Sequence, residues 1–204
     1  MNYRSSVIYS APPKPLGPEV AGGIYKSRMI EKYLGFLAKC VKPRILDISP
    51  ITGRNISFFL EYTHTLYVCD MLRRINPRPL ISITMEQMMP FLDYEPGIFD
   101  GIHLWDLPDH LDNKALTGLL KKCATLLTPT GLIMMIASNS EKPQHQFQYL
   151  LIEKEDAVTL KKVMTYELPY YHRANRDIHL MMEPMMQHSS FICLNGIREF
   201  LFKR

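Results

Sequence analysis

Several chemical features are scarce in this 204-residue sequence. It has four cysteines and no Cys-x-x-Cys pair, so neither a zinc site nor a redox motif is supported. No apolar run approaches the roughly 20 residues that a membrane span needs. The N-terminus also lacks the charged start and apolar core of a secretory signal. We therefore expect a soluble cytoplasmic protein that binds no metal and does not associate with membranes.

The excess of positive over negative charge is also small. The net charge is +4, and no basic tract or stripe runs along the chain, so nucleic acid is not the predicted partner. The densest basic cluster, Arg73, Arg74 and Arg78, is typical of a solvated loop. With 47% apolar residues, the composition is that of one globular domain with a substantial core.

Two regions differ in organisation. Residues 1–26 are rich in proline and include Gly22 and Gly23, which predicts an extended N-terminal segment over the surface. From Ser27 onward, apolar residues recur at helical spacing as far as Val41, and Pro43 then stops the helix. We therefore divide the chain into an N-terminal segment, 1–26, and a single domain, 27–204.

Strands and helices alternate along the domain. This order predicts an α/β fold, in which a parallel sheet has helices on both faces. The predicted strands are 44–48, 66–69, 80–84, 99–105 and 132–137, and the predicted helices between and after them include 55–62 and 112–127.

The C-terminal third departs from that alternation. Residues 139–173 are predicted to form an insertion, partly helical, that lies over one edge of the sheet. Asn175 is predicted to cap a short helix that runs through Met182, and Pro184 would end it. The last two strands flank Asn195-Gly196, the strongest short-range hairpin signal, and predict a terminal antiparallel hairpin.

Four stretches carry a resemblance to a known family: ILDISPITGRN, LYVCDM, FDGIHLWDLPDHL and LLTPTGLIMMIAS. In this order and spacing they resemble the motifs of the class I S-adenosylmethionine-dependent methyltransferases, over roughly residues 27–204. The resemblance implies a Rossmann-like, doubly wound, mostly parallel sheet of about seven strands that ends in an antiparallel β-hairpin. It also implies S-adenosylmethionine as the cofactor, without a metal.

The resemblance further implies a cofactor site at the ends of the first two strands. Asp47 would organise the loop and the cofactor's amino group, and Gly53 would allow close approach. Asp70 would accept hydrogen bonds from both ribose hydroxyls. Asp at a strand end is also a common turn former, and that alternative stays open for Asp47 and Asp70.

Other positions complete the implied site. Met71 would contact adenine, Glu86 would lie at the adenine edge, and Ser49 would supply a hydroxyl where the family has a glycine. Trp105 and Asp106 would face the methyl group and the substrate. Core packing is the alternative for Trp105, because large aromatic side chains usually fill space.

Candidates for catalysis and acceptor binding are few. His103 and Asp106 are candidate catalytic groups, although a packed histidine is favoured for His103, which shares a strand face with Trp105. By resemblance, the insertion would cover the acceptor site, and its aromatic group would either shape that pocket or pack a lid onto the sheet. That group comprises Tyr166, Tyr170 and Tyr171, with His172 and Arg173 beside them.

The first motif has fewer glycines than the family pattern. Acid-x-Gly-x-Gly-x-Gly becomes residues 47–53, where only Gly53 remains and the β-branched Ile51 resists positive φ. The fourth-strand motif also lacks the Pro-Pro-aromatic sequence of enzymes that methylate amino groups of bases or glutamine, so that substrate class is disfavoured.

Three functions follow from these patterns. A methyltransferase acting on a small molecule or another modest acceptor is predicted first. The alternative is a catalytically inactive methyltransferase-like binding or interaction protein, for which the missing glycines argue. A nicotinamide-dependent oxidoreductase shares the acid after the second strand but would need a Gly-x-Gly-x-x-Gly turn, which is absent. The patterns do not indicate an oligomeric state.

Overall fold

The computed structural model describes residues 6–9, 19–48, 52–142, 144–154, 157–183, 185–193 and 196–204. Its strands form two sheets. In chain order they are β1 (Ser6–Tyr9), β2 (Glu19–Lys26), β3 (Arg44–Asp47), β4 (Thr65–Val68), β5 (Phe99–Trp105), β6 (Leu127–Ser138), β7 (Gln146–Ile152), β8 (Ala157–Glu167), β9 (Met186–Ile192) and β10 (Ile197–Lys203).

Several of the helices begin where a side chain accepts a hydrogen bond from a free backbone N–H group. Ser27 accepts a hydrogen bond from the backbone N–H of Ile30, and Asp112 accepts one from that of Ala115. Their apolar faces then pack on the sheet. The helices are α1 (Arg28–Leu37), α2 (Gly53–Leu60), α3 (Met71–Ile75), α4 (Met85–Met88), α5 (Asn113–Leu126) and α6 (Asn175–Met182).

The larger sheet establishes the α/β class. In the described residues its strand order is β1-β4-β3-β5-β6-β10-β9. Neighbours from β1 to β6 pair parallel, whereas β10 pairs antiparallel with both β6 and β9. The central strands are buried almost throughout, as expected when helices cover both faces of a sheet. The α/β fold with a mixed sheet is therefore confirmed.

The predicted third strand is wrong. Residues 80–84 are irregular, and β1 occupies the place beside β4 instead. Leu80 has a φ of 56°, which breaks the extended conformation that a strand requires. The side chains of Leu80 and Ile81 are also mostly exposed, although Ile83 in the same stretch is buried.

The insertion is also not helical where predicted. Residues 146–152 and 157–167 form the antiparallel pair β7 and β8, and β2 from the N-terminal segment pairs antiparallel with β8. The smaller sheet therefore has the order β2-β8-β7. Parts of segment 1–26 thus contribute a strand to each sheet, although no strand periodicity was predicted there.

Helix ends and the last hairpin differ in detail. Helix α1 ends at Leu37, a turn earlier than predicted, and Val41 is 85% exposed. Helix α6 ends at Met182 as predicted, but Ala174 holds the N-cap position and Asn175, the predicted cap, is the first helical residue. Strands β9 and β10 pair antiparallel, while Pro184 and Asn195 lie outside the described residues.

Candidate functional site

The carboxyl ends of the parallel strands bring the predicted site residues to one edge of the sheet. Asp47 ends β3, and its backbone carbonyl accepts a hydrogen bond from the N–H of Cys69 at 2.8 Å. The Ile48 N–H donates to the His103 carbonyl at 3.2 Å. In open α/β sheets such an edge, where loops leave neighbouring strands, is where ligands bind.

Asp47 is fully buried and is bonded from within the protein. The Trp105 indole Nε1–H lies 3.2 Å from each of its carboxylate oxygens, and His103 Nδ1 lies 3.3 Å from Oδ2. His103 Nε2 is 3.0 Å from the Tyr33 hydroxyl. A neutral His103 that donates from Nδ1 and accepts at Nε2 satisfies both contacts. Burial, together with the charge of Asp47, raises the pKa of Tyr33 well above its ordinary value.

These contacts concern the two alternatives for His103 and Trp105, which are core packing and a role in catalysis or cofactor binding. Both side chains are 0% exposed, and their rings are 5.6 Å apart, on the shared face predicted from their spacing. Trp105 has a φ of 43°, which a bulky residue adopts only where its surroundings hold it. Both residues occupy positions expected of packed core side chains. Their roles in catalysis and cofactor binding stay predictions.

Asp70 differs from Asp47 in its bonding. It follows β4 and is half-buried, and its backbone has a left-handed conformation with φ 46° and ψ 57°. Its Oδ1 is buried and has no hydrogen-bond partner among the described residues. Burial raises the pKa of Asp70, while the nearby Arg73 opposes that rise. Asp70 therefore presents a carboxylate oxygen that two adjacent donor groups could satisfy.

Tyr166 lies near Asp70. It is half-buried on β8, and burial together with the Asp70 carboxylate raises its pKa to about 12. The chain after α3 also contacts β8, because the Leu80 N–H donates to the Glu167 carbonyl at 2.9 Å. The smaller sheet thus brings an aromatic side chain toward the predicted ribose-binding acid.

The remaining predicted cofactor residues are dispersed. Met71 is fully buried in the core. Gly53 is the first residue of α2, and a Cβ added there would meet nothing within 4 Å. Glu86 is exposed on α4, where hydrogen bonds from the backbone and from Thr84 lower its pKa. Ser49 lies outside the described residues, and the roles of all four stay predictions.

Asp106, a predicted catalytic and substrate-facing residue, lies just after β5 in a buried polar cluster whose other members the sequence did not indicate, and its predicted roles stay predictions. Asp106 Oδ2 lies 3.0 Å from His110 Nε2 and accepts the Gln148 N–H at 2.9 Å. His110 Nδ1 lies 2.9 Å from the Pro169 carbonyl. Although burial alone would lower it, the Asp106 carboxylate raises the pKa of His110. The run DLPDH is the only signal that could have indicated this cluster.

Asp109 belongs to the same cluster. Its Oδ2 accepts the Ser138 N–H at 2.5 Å, whereas its buried Oδ1 has no partner in the described part of the chain. Burial and the neighbouring Asp106 raise the pKa of Asp109 to about 7. The buried Arg198 donates to the Ser138 carbonyl at 2.6 Å. The Asp109 carboxylate and the Arg198 guanidinium therefore both bind the backbone of Ser138.

The predicted acceptor residues Tyr170 and Tyr171 hold a connecting segment in place. The Tyr170 hydroxyl donates to the Ser140 carbonyl, and the Tyr171 hydroxyl lies 2.7 Å from Ser82 Oγ. Arg173 is 4% exposed and donates to backbone carbonyls, including that of Leu111 at 2.6 Å. These contacts hold the segment against the rest of the protein, and both alternatives for Tyr166, Tyr170 and Tyr171, a pocket wall or a packed lid, stay predictions.

Strand β7 lies directly against the site. Buried Asn55 of α2 donates from Nδ2 to the Leu150 carbonyl at 2.8 Å and accepts the Ile152 N–H at Oδ1 at 3.1 Å. Arg54 forms an ion pair with Glu153 one residue further. The Gln148 bond to Asp106 fixes the same strand at the end of β5. Nothing in the sequence indicated Asn55 beyond a polar residue at a buried helical position.

Two further observations concern metal ligands and membrane spans. Within the described ranges, no three His, Cys, Asp or Glu side chains gather in a way that could hold a metal ion. Among the helices described, none is both long enough and apolar enough to span a bilayer.

No protein-family model matches the sequence, and no curated protein matches it. Solved structures do. A 1,6-didemethyltoxoflavin-N1-methyltransferase from Burkholderia thailandensis, with 1,6-didemethyltoxoflavin and S-adenosylhomocysteine bound, matches with a TM-score of 0.55 at 15% identity, over 87% of this chain and 77% of that one. An S-adenosylmethionine-dependent methyltransferase from Clostridium acetobutylicum ATCC 824 matches with a TM-score of 0.56 at 12% identity, over 86% and 89%.

A methyltransferase dependent on the same cofactor, from Archaeoglobus fulgidus, matches with a TM-score of 0.51 at 13% identity, over 86% of this chain and 91% of that one. Identities this low establish the fold alone. The strand order, the parallel centre and these matches agree with one another. The chain has the fold of the class I S-adenosylmethionine-dependent methyltransferases.

Proposed function

We propose that the chain is an S-adenosylmethionine-dependent methyltransferase that acts on a small-molecule acceptor. The observation that carries the proposal is Asp70, which follows the second parallel strand of this fold and has a buried Oδ1 without a described partner. Two vicinal ribose hydroxyls are donors that suit such a carboxylate. The Burkholderia thailandensis neighbour, crystallised with a small heterocycle and S-adenosylhomocysteine, supports this choice of ligand classes.

The residues present fit the nucleoside part of this cofactor. When bound, S-adenosylmethionine supplies a methyl group that is already activated on a sulfonium sulfur. The protein then has to orient the acceptor and exclude water, and a dedicated base is optional. Strand β7 and the segment around Tyr170 lie over the end of β5, where they would exclude water.

Calorimetric titration of the full chain with S-adenosylmethionine and S-adenosylhomocysteine tests the proposal. We expect saturable binding of both, and Asp70→Asn should weaken it by about 1.5–3 kcal/mol, roughly 10- to 150-fold, the usual worth of a charge-assisted hydrogen bond. Exposed Asp93→Asn is the matched control and should leave affinity unchanged. Absence of binding at millimolar ligand would refute the proposal, and unchanged affinity of Asp70→Asn would refute the role of Asp70.

A second function is favoured by one observation. The Asp47 carboxylate is occupied by Trp105 and His103, which is compatible with a protein that binds the ligand without transferring its methyl group. The two functions differ in turnover. An inactive protein would bind both ligands yet convert no S-adenosylmethionine to S-adenosylhomocysteine with any heterocyclic acceptor in a panel, whereas an enzyme would convert it with at least one.

A further inference from the structure

The two acids at the sheet edge, Asp47 and Asp70, differ in whether their carboxylate oxygens already have hydrogen-bond donors. Asp47 ends β3 and Asp70 closely follows the neighbouring parallel strand β4, and by resemblance they would serve opposite ends of one cofactor. Asp47 is 0% exposed and accepts hydrogen bonds from two buried side chains. Asp70 has a buried carboxylate oxygen with no partner among the described residues. This difference determines which end of a ligand each acid can bind.

The Asp47 carboxylate is already hydrogen-bonded to buried side chains of the protein. The Trp105 Nε1–H lies 3.2 Å from both carboxylate oxygens, and an indole N–H can only donate. Because Asp47 is fully buried, an ammonium group could reach it only if the side chains packed around it moved, and moving Trp105 would leave a buried N–H without its partner, which is unfavourable. Because Trp105 also holds a left-handed φ of 43°, its position depends on such contacts. His103 occupies the same carboxylate from a second side.

Asp70, by contrast, accepts a hydrogen bond from the Arg73 backbone N–H but keeps one oxygen, Oδ1, without a donor among the described residues. Its Oδ1 is removed from water, and its neighbours include Arg73 and the half-buried Tyr166 on β8. Two adjacent hydroxyls of a ribose would satisfy it, and an aromatic side chain beside it offers a surface for a nucleoside. Of the two acids, the one with an unsatisfied oxygen among the described residues is therefore the one predicted to bind the nucleoside end.

We infer that the pocket recognises adenine nucleosides as a class and that Asp47 does not bind the amino-acid end of the cofactor. Adenosine and 5′-methylthioadenosine, which lack the amino acid, then bind about as tightly as S-adenosylmethionine and S-adenosylhomocysteine. This inference rests on the proposed function for the position of the cofactor. It goes beyond it by naming which part of the ligand provides affinity.

Calorimetry of the full chain with these four ligands tests the inference. We expect dissociation constants within about threefold of one another, and Asp70→Asn should weaken all four at least tenfold. Binding of the two amino-acid-containing ligands at least 30-fold more tightly than 5′-methylthioadenosine would overturn the inference while leaving the proposed function intact. Failure of all four ligands to bind would overturn both.

Trp105→Phe provides an independent test, because phenylalanine keeps an aromatic ring but donates no hydrogen bond to Asp47. Once circular dichroism confirms that this variant folds, we expect it to favour S-adenosylhomocysteine over 5′-methylthioadenosine at least tenfold more than the wild type does. An unchanged ratio in the folded variant would overturn the assignment to Asp47. If the variant does not fold, the four-ligand comparison on the wild type decides alone.

Discussion

At the scale of single residues, a buried chain of polar contacts fixes the centre of the sheet. Tyr33 of α1 bonds to His103 of β5, which bonds to Asp47 of β3. Gly101, on β5, allows this arrangement because the Tyr33 hydroxyl occupies the space above it. A Cβ on Gly101 would lie 1.7 Å from that oxygen and 2.8 Å from the ring carbon bearing it.

Gly101→Ala should therefore destabilise the fold. Tyr33 is fully buried and bonded, so it cannot move aside freely, and overpacking of this kind costs about 1–3 kcal/mol. Gly35→Ala is the matched control, since a Cβ there meets nothing within 4 Å on the exposed side of α1. It should raise stability by about 0.5–1 kcal/mol through helix propensity. Urea unfolding measures both, and equal effects would contradict the steric argument.

Sequence reasoning was informative for residues on regular strands. The two-residue period of β5 placed His103 and Trp105 on one face, and both contact Asp47 in the structure. It did not identify Tyr33 as their partner, because a helical tyrosine at an apolar position is typical of simple core packing. Nor did it predict the left-handed φ of Trp105, which glycine usually supplies and which here depends on tertiary contacts.

At the scale of elements, β7 is attached to the larger sheet by side chains. Asn55 satisfies one carbonyl and one N–H of this strand, and Asp106 satisfies another N–H. These bonds replace the strand partner that β7 lacks on this side, since its described pairing is with β8 alone. The clip formed by Asn55 and Asp106 therefore docks the smaller sheet onto the end of β5 and the start of α2.

Asn55→Ala should loosen this clip. The Leu150 carbonyl and the Ile152 N–H would lose their partners in a buried setting, which costs about 2–4 kcal/mol together. Exposed Ser57→Ala on the same helix should change stability by no more than about 0.5 kcal/mol. Chemical unfolding measures the difference, and hydrogen exchange should quicken at Ile152 in Asn55→Ala only. Equal unfolding free energies for the two variants would count against the clip.

Elements with strong local signals could be predicted, and those that depend on distant partners could not. Helices α1 and α5 follow from a cap and an apolar period within one stretch of chain. The outer strand that pairs with β4 is different. Both residues 80–84 and β1 were available for this position, and β1 precedes β4 by about sixty residues. Local β-propensity favoured the first, but the left-handed Leu80 and the tertiary pairing of β1 decide for the second.

At the scale of the whole molecule, buried acids make stability depend on pH. Burial and Asp106 raise the pKa of Asp109 to about 7, and burial raises the pKa of Asp70 and of Glu199. A carboxyl group whose pKa is higher in the folded state binds more protons folded than unfolded. The unfolding free energy therefore falls as pH rises from about 4 to about 7.

Asp109→Asn should flatten that decline. The amide keeps the shape of the side chain but does not titrate, so the contribution between the ordinary Asp pKa of 3.8 and about 7 disappears. Urea unfolding at pH 4.5, 5.5, 6.5 and 7.5 measures the slope. Exposed Asp93→Asn should retain the wild-type slope. A wild type that gains stability from pH 4.5 to 7.5, or an unchanged slope in Asp109→Asn, would contradict this account.

The docking of β7 sets the fraction of molecules in which this strand is released, and that fraction affects ligand binding. A ligand that can enter only when β7 is released binds just the fraction of molecules in which the Asn55 clip is open, and its apparent affinity is reduced by that fraction. The free energy that holds the clip closed therefore acts against such a ligand. A weaker clip would lower the stability of the fold and tighten binding in the same proportion.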